Sequence, residues 1–552
     1  MRMLARGGTA VDGGVAATFA AAVTEISHFG LGGEVPIILH LADRNDVVVI
    51  NGQGSAPASV ETLRAAQRIP AAGPSAGTVP AVVDALAIAL AEFGTLSLRE
   101  VLEPAIALAD GFPWYDLLSR FLAPELERMH MFPSGARVYL QGPNMTIPPE
   151  GSMFRQPDLA RTLRALVEME QQNLHRGRKQ AIYAARDRFY RGDIAQRIAR
   201  AVQEAGGILT EADLASYRGR VERPTSGRFT TRHGTFEIFK TGFWGQGPVL
   251  LQALALLRGF DLERMGHNST EYIHTVTETL KLALADRDHF YGDPEFAKVP
   301  VRGLLSDAYA TERRTLIDPL AASNSPGPGD PWKFEPGARG PSHRAVGRLT
   351  PDATPPGPSP DTTTVNVADA RGNLFSASPS SAWFNGGVFI AGDTGVPLGN
   401  RMQAFTLDDG PNQLQGGKRP RTTLSPTVVF RDGKPFLALS SPGGDSQDQQ
   451  ALQVFLNIAV FKMRPQEAIE APRFNSLDYR ESFGRHRLLS GLQVEDRIAP
   501  GVVEALRRLG HRVVVLGPFM MDTGTAMAGV DPKHGTLFGA ADVRRQRFVT
   551  GW

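Results

Sequence analysis

Residues 321–360 hold 10 of the chain's 40 prolines and six of its glycines, with almost no apolar periodicity. Proline fixes φ and removes a backbone donor, so no long helix can run through such a stretch. It reads as a flexible tether. The chain changes character across it, with helical patterning before and strands after. The expected division is a large segment, 1–361, with 321–361 as the tether, and a small segment, 362–552.

Before the tether, residues 10–23 are rich in small side chains, which suits a helix lying close against a sheet. VPIILHLA (35–42) and DVVVI (46–50), joined by Asp43, Arg44 and Asn45, read as a β-hairpin. From about 57 to 290 the pattern is mainly helical, with apolar residues three and four apart over 79–93, 97–110, 156–171 and 186–205. In the helix expected near 269–290, Asn268 is the predicted cap, with Glu271 three residues on.

After the tether, TTVNVAD (363–369) and NLFSAS (373–378) flank a turn, as do SPTVVF (425–430) and KPFLALS (434–440). The second turn, Arg431-Asp432-Gly433, carries the Asp-Gly hairpin signal. Helices follow at 446–461 and 501–509. Residues 511–517, 524–530 and 535–541 read as closing strands. Helices followed by antiparallel hairpins place the chain in the α+β class, as sheet layers covered by helices.

Composition narrows the function. Lys and Arg number 59 against 57 Asp and Glu, with no long basic run, which argues against phosphate-backbone binding to nucleic acid. No window of about 18 uncharged apolar residues is present, so no spanning helix is expected. There are no cysteines, which excludes disulfides, thiolate metal sites and a thiol nucleophile. The 12 histidines lack metal-ligand spacing, and neither metal nor other cofactor is expected. MRMLARGG runs directly into a helix-like stretch without a signal-peptide core, so the reading leans toward the cytoplasm.

The chemistry centres on Asp361-Thr362-Thr363-Thr364, between tether and strand. A threonine hydroxyl needs a base. An N-terminal threonine carries one, its own α-amine, with a pKa of about 7.7–8.0. Freeing that amine requires breaking the Asp361–Thr362 bond, and the Thr362 hydroxyl can do this by attacking the preceding carbonyl. Three threonines opening a strand are equally plain β-formers. Ser441-Pro442-Gly443-Gly444 adds a second element, since glycines before a helix let backbone N–H groups point at a developing oxyanion. A plain glycine turn into a capped helix remains the alternative.

Together these pieces resemble the γ-glutamyltranspeptidase family, nearly end to end. ARGGTAVDGGVAA (5–17), GLGGE (30–34), HNSTEYIH (267–274), YGDPEF (291–296) and DTTTVNVADARGN (361–373) occur in family order. GKRPRTTLSPTVVFRDGKP (417–435), SPGGDSQ (441–447) and EAIEAPRF (467–474) complete it. The resemblance implies a four-layer αββα sandwich of the N-terminal-nucleophile hydrolase type, shared by both segments of a precursor cut between Asp361 and Thr362. It implies Thr362 as nucleophile and base, Ser380 as a supporting hydroxyl, Gly443 and Gly444 as the oxyanion site, and Thr422 and Thr423 as pocket hydroxyls. The partners are then a small-molecule amide and a water or amine acceptor, with homo-oligomers of the processed heterodimer a further expectation.

The chain departs from glutathione-type members at both charged contacts to the substrate. Gln53 stands where an Arg-Glu-x-Ala-Pro motif supplies an arginine. After Asn400-Arg401-Met402 come Gln403 and Ala404 in place of acids, and Ala382 replaces an asparagine. Arg401 is left as a candidate contact for an anionic substrate or as a structural residue. Glu34 and Asp445 are candidates for polar pocket residues or caps, and Trp244 for pocket lining or packing. The expected acyl group is therefore not that of glutathione, closer to the oxamate amidohydrolase and acylase branch. A true γ-glutamyltransferase and an uncleaved, non-catalytic relative are the alternatives.

Overall fold

The computed structural model describes residues 1–324, 326–337, 362–381, 388–483 and 488–551. Asp361, Ala382 and the later part of the expected tether lie outside them. The chain forms two compact units, and each takes residues from both sides of position 361. Unit 1 is Met1–Arg223, Pro360–Leu407 and Leu414–Pro420; unit 2 is Pro224–Ser359, Asp408–Gln413 and Arg421–Trp552.

Unit 1 is built on a five-stranded antiparallel sheet, ordered Arg220–Glu222, Asp46–Asn51, Ile37–Leu41, Leu374–Ala377, Val365–Ala368. The expected hairpin is present, and Asn45 takes the left-handed φ of +46° in its turn. In the middle strands Leu39 lies opposite Val48 and Phe375, all from the β-branched, aliphatic and aromatic residues that fill a pleated core. Helix Ala10–Thr24 lies on this sheet because its small residues permit it: a Cβ on Gly14 would sit 2.4 Å from the Phe375 ring.

The start of that helix is fixed by two carboxylates. Asp12 accepts from the N–H groups of Thr9, Thr95 and Leu96, at 2.8, 2.8 and 2.9 Å. Burial raises its pKa, but the backbone donors outweigh burial and hold it below the ordinary value. Asp369 accepts from Ala10 N at 2.7 Å and closes its own turn through Arg371 N and Asn373 N. Helices Val82–Phe93, Leu98–Asp110, Pro157–Asn173, Arg178–Arg191 and Asp193–Glu204 add Leu86, Val101, Leu163, Phe189 and Ile198 to the same core. Each such buried side chain contributes roughly 1.5–3 kcal/mol. The helix expected over 186–205 is two helices, interrupted at Gly192.

Unit 2 holds a six-stranded antiparallel sheet, ordered Leu537–Ala541, Ala526–Val530, Lys434–Ser440, Thr427–Arg431, Gly234–Lys240, Thr225–Thr231. Asp432 and Gly433, at φ +51° and +77°, make the expected tight turn. Helices Pro248–Leu257, Thr270–Phe290 and Gln447–Ala459 pack Leu254, Val276, Leu280 and Phe455 into its core. A second sheet contains Phe474–Ser476, Gly491–Glu495 and Arg512–Leu516, the last pair parallel.

Several expectations are corrected here. Residues 225–240, read as part of a helical region, form a hairpin whose Phe229, Phe236 and Ile238 are buried on alternating positions. The three closing strands are present, Ala526–Val530 and Leu537–Ala541 in the large sheet and Arg512–Leu516 in the small one. Ser269, not Asn268, caps the long helix: its hydroxyl accepts from Tyr272 N at 3.1 Å, while Asn268 sits at φ +54° and donates to the Pro472 carbonyl. The first part of the expected tether is anchored. Ser323 and Gly329 donate backbone N–H groups to Glu278 and Asp286, at 3.1 and 3.0 Å, and Pro331 is buried in a short 3₁₀ turn. Carboxylates on the long helix accept from backbone N–H groups that the segment, with φ fixed at its prolines, does not pair in a helix or strand of its own.

Candidate active site

In unit 1 the chain brings Thr362 and Ser380 into adjoining segments. Thr363 donates its N–H to the Pro379 carbonyl at 2.9 Å, at the mouth of the hairpin formed by Val365–Ala368 and Leu374–Ala377. Thr362 is fully buried and has φ +74°. A β-branched residue is a genuine outlier there, held against a cost of about 1–3 kcal/mol. Ser380 is also fully buried, and its backbone exchanges hydrogen bonds with Glu34, N–H to carbonyl both ways, at 2.8 and 3.0 Å. That pairing requires glycine beside it, since a Cβ on Gly33 would lie 2.4 Å from the Ser380 carbonyl.

The Ser380 hydroxyl accepts from Arg401 Nη2 at 3.0 Å, and Arg401 Nε lies 2.6 Å from Glu34 Oε1. Glu34, predicted as a pocket residue or cap, and Arg401, predicted as a contact for an anionic substrate or a structural residue, are thus partners in a buried ion pair directed at the predicted supporting hydroxyl. Gln53 is fully buried as well. Its Nε2 donates to the Pro420 carbonyl, and its own carbonyl accepts from the Tyr217 hydroxyl at 2.9 Å. One N–H of its amide is given to the backbone.

The remaining predicted residues belong to unit 2. Thr422 and Thr423 are buried; Thr422 donates its N–H to the Trp244 carbonyl at 3.0 Å, and Thr423 Oγ1 is buried without a hydrogen-bond partner among the described residues. Trp244 is 1% exposed, its backbone serving as this acceptor. Gly443 and Gly444 take φ of +114° and +54°, and lead into a 3₁₀ turn, Gly444–Ser446, that opens helix Gln447–Ala459. A Cβ on Gly443 would lie 2.5 Å from the Asp522 carbonyl, so the turn cannot accept a side chain without moving.

Two charge networks in unit 2 went unread in the sequence. Arg287 Nη1 donates to Asp445 and to Gln246 Oε1, and its Nη2 to Asp288 and the Arg480 carbonyl, both at 2.8 Å. Burial opposes its charge, but Asp288 and Asp445 outweigh burial and hold it above its ordinary value. Nearby Arg421 is pushed down to about 10 by burial and by Arg287. Separately, the fully buried Lys240 lies 2.9 Å from Asp448 Oδ1 and donates to Thr427 Oγ1 at 2.8 Å; burial lowers its pKa against the pull of Asp448. The i, i+4 and i, i+3 spacings that gather such charges are visible in a sequence, but apart from the adjacent Arg287 and Asp288 these partners are 41 residues or more apart.

Among the described residues, His274, Glu278 and His511 are the group of metal-ligating types drawn together, with ligand atoms within 4.8 Å. Their atoms are engaged with protein donors and acceptors. Glu278 pairs with Lys281 at 2.7 Å, His274 Nε2 meets the Asp318 carbonyl at 2.8 Å, and His274 Nδ1 meets His511 Nε2 at 2.9 Å. The carbonyl acceptor assigns the proton on His274 to Nε2, so His511 is the donor in the pair. The group ties the long helix to the strand Arg512–Leu516 and to residues 318–323.

The sequence model described as gamma-glutamyltranspeptidase matches residues 1–552. The glutathione hydrolase proenzyme of Bacillus subtilis (strain 168) is 30% identical, over 100% of this chain and 88% of the relative. The oxamate amidohydrolase proenzyme of Klebsiella pneumoniae subsp. pneumoniae is 31% identical, over 100% and 96%. The crystal structure of cephalosporin acylase from Bacillus halodurans superposes with a TM-score of 0.83 at 28% identity, covering 99% of this chain and 91% of that one. A full-length match to the family, together with hydrolases and acylases of similar length and a mixed helix-and-sheet fold, leaves one assignment: the chain is an enzyme of the gamma-glutamyltranspeptidase family.

Proposed function

We propose that the chain is a proenzyme that cuts itself between Asp361 and Thr362 and then cleaves or transfers the acyl group of a small amide. The observation that carries this reading is Thr362, fully buried and in a left-handed backbone conformation unsuited to a β-branched residue. The Thr362 hydroxyl oxygen attacks the Asp361 carbonyl carbon, the C–N bond breaks, and the nitrogen takes the proton, leaving an ester. Water hydrolyses that ester, giving an Asp361 carboxylate and a free Thr362 α-amine. In turnover the amine accepts the hydroxyl proton, Oγ attacks the substrate carbonyl, and the leaving amine departs with that proton. Water or an amine acceptor then releases the acyl group. The resemblance assigns the developing oxyanion to the Gly443–Gly444 turn, whose consecutive left-handed glycines suit N–H donation.

The acyl group is proposed not to be γ-glutamyl. Arg401 is already paired with Glu34, and the Gln53 amide N–H is bonded to a backbone carbonyl. An amino-acid substrate would forgo charge-assisted hydrogen bonds contributing about 1.5–3 kcal/mol each. The four-layer αββα sandwich and oligomers of the processed heterodimer are parts of the same proposal.

Denaturing electrophoresis of purified protein should show two bands, the smaller beginning Thr-Thr-Thr-Val-Asn. Thr362→Ala should leave one band and lower turnover by about 10⁴-fold or more. A wild-type chain that stays whole on prolonged incubation overturns the reading. A panel of amides run beside a γ-glutamyl anilide tests the acyl group, and ordinary rates on the anilide would restore the transferase alternative.

A further inference from the structure

Arg287, Gln246 and Asp445 converge immediately beside the Gly443–Gly444 turn. Asp445 follows Gly444 directly and is held at both of its ends. Its main-chain carbonyl accepts from Gln246 Nε2 at 3.1 Å, and its carboxylate accepts from Arg287 Nη1, from Ser482 N at 2.8 Å and from Ser482 Oγ at 2.7 Å. Arg287 Nη1 also donates to Gln246 Oε1, so the three residues form one ring of contacts, closed through the Asp445 main-chain carbonyl. Gln246, Arg287 and Asp445 are 1%, 0% and 3% exposed, so water does not compete for these bonds.

We propose that Arg287, Gln246 and Asp445 are positioning residues that hold the Gly443–Gly444 turn in the conformation its oxyanion role needs. The proposal rests on the reading of that turn given above. Two consecutive glycines have wide conformational freedom, and a donor pair loses its value when it must reorganise during reaction. Something has to restrict them. Ser446 Oγ binds the Gly443 carbonyl at 2.7 Å, and the Asp522 carbonyl leaves no room beyond Gly443. The Asp445 ring restricts Gly444 from the following residue.

The ring also extends to the threonine pair. Two residues before Gln246, the Trp244 carbonyl accepts from Thr422 N at 3.0 Å, and Gly245 bridges Thr422. Residues 244–246 therefore support both Thr422 and Asp445. A buried ion pair is seldom the most stable filling for such a space, since well-packed apolar groups do as well. Its use here is accounted for by geometry.

The test uses the self-cleaved enzyme and its best amide substrate. For Gln246→Met, Asp445→Asn and the double variant, kcat, KM and the thermal midpoint are measured, with Arg287→Lys as a charge-conserving fourth. Expected is a fall in kcat of about 10–100-fold with KM within about twofold, the double variant no worse than the poorer single one, because the residues act as a unit. Arg287→Lys, which keeps the charge without the fork, should fall with them. The proposal is overturned if kcat in Gln246→Met and Asp445→Asn stays within about twofold of wild type, or if it falls only in proportion to the folded fraction. Thr362→Ala run in parallel separates the two claims: turnover that survives it sinks the nucleophile assignment, whatever the ring variants do.

Discussion

The two units arrange their candidate chemistry in opposite ways. Around Thr362 and Ser380 the reactive groups are side-chain hydroxyls, and the charges of Arg401 and Glu34 reach the Ser380 hydroxyl directly. Around Gly443 and Gly444 the useful groups are main-chain N–H donors that no substitution short of proline can remove, and the charges of Arg287 and Asp445 act on the backbone that carries them. A side-chain site can be deleted at one position. A backbone site is damaged by crowding it or by loosening its supports.

That contrast can be broken in order of expected effect. Arg401→Gln should leave Glu34 charged and buried, destabilising the protein by about 3–5 kcal/mol. Adding Glu34→Gln should recover part of the loss, and a denaturant titration that finds the single variant as stable as wild type would remove the pair from the argument. Gly443→Ala should lower kcat by about 10²–10³-fold, since its Cβ would meet the Asp522 carbonyl at 2.5 Å and displace the donors. Gly444→Ala, at φ +54°, should cost less because L-residues tolerate that region better; equal losses at the two positions would count against crowding as the cause.

Burial, with Lys281 and His274 beside it, pushes His511 down to about 3, against about 6.5 when unfolded. Between these values the unfolded chain binds the extra proton, so His511's contribution is complete above about pH 6.5 and is lost as pH falls toward 3. The steepest loss is about 1.4 kcal/mol per pH unit. Denaturation midpoints measured over about pH 4–7 should show a flatter dependence in His511→Gln, and an identical slope would refute the assignment. The smallest effect is expected from Ser269→Ala, about 1 kcal/mol of stability with kcat unchanged, because the cap lies at the far end of the helix from Arg287.

Much of the secondary structure was legible because it rests on local signals. The Asp432-Gly433 turn, the small-residue helix Ala10–Thr24 and the hairpin Ile37–Asn51 are specified by residues within a few positions of one another. The hairpin Thr225–Lys240 escaped notice because its exposed Thr, Ser and Arg residues dilute the alternation of Phe229, Phe236 and Ile238. The candidate site was legible as motifs, Thr362 and Gly443-Gly444 above all. Their supports were not: Arg401 reads as a spare cation until Glu34, 367 positions earlier, is seen against it, and no periodicity joins Gln246, Arg287 and Asp445.

The five-stranded sheet of unit 1 interleaves strands from either side of position 361, with Ile37–Leu41 bonded to Leu374–Ala377 and Asp369 gripping the start of helix Ala10–Thr24. A scission at Asp361–Thr362 would therefore make two polypeptides that remain woven into one sheet and co-purify. Unfolding would then become close to a one-way event: the precursor refolds as a single molecule, whereas the mature pieces must find each other at a rate set by their concentration.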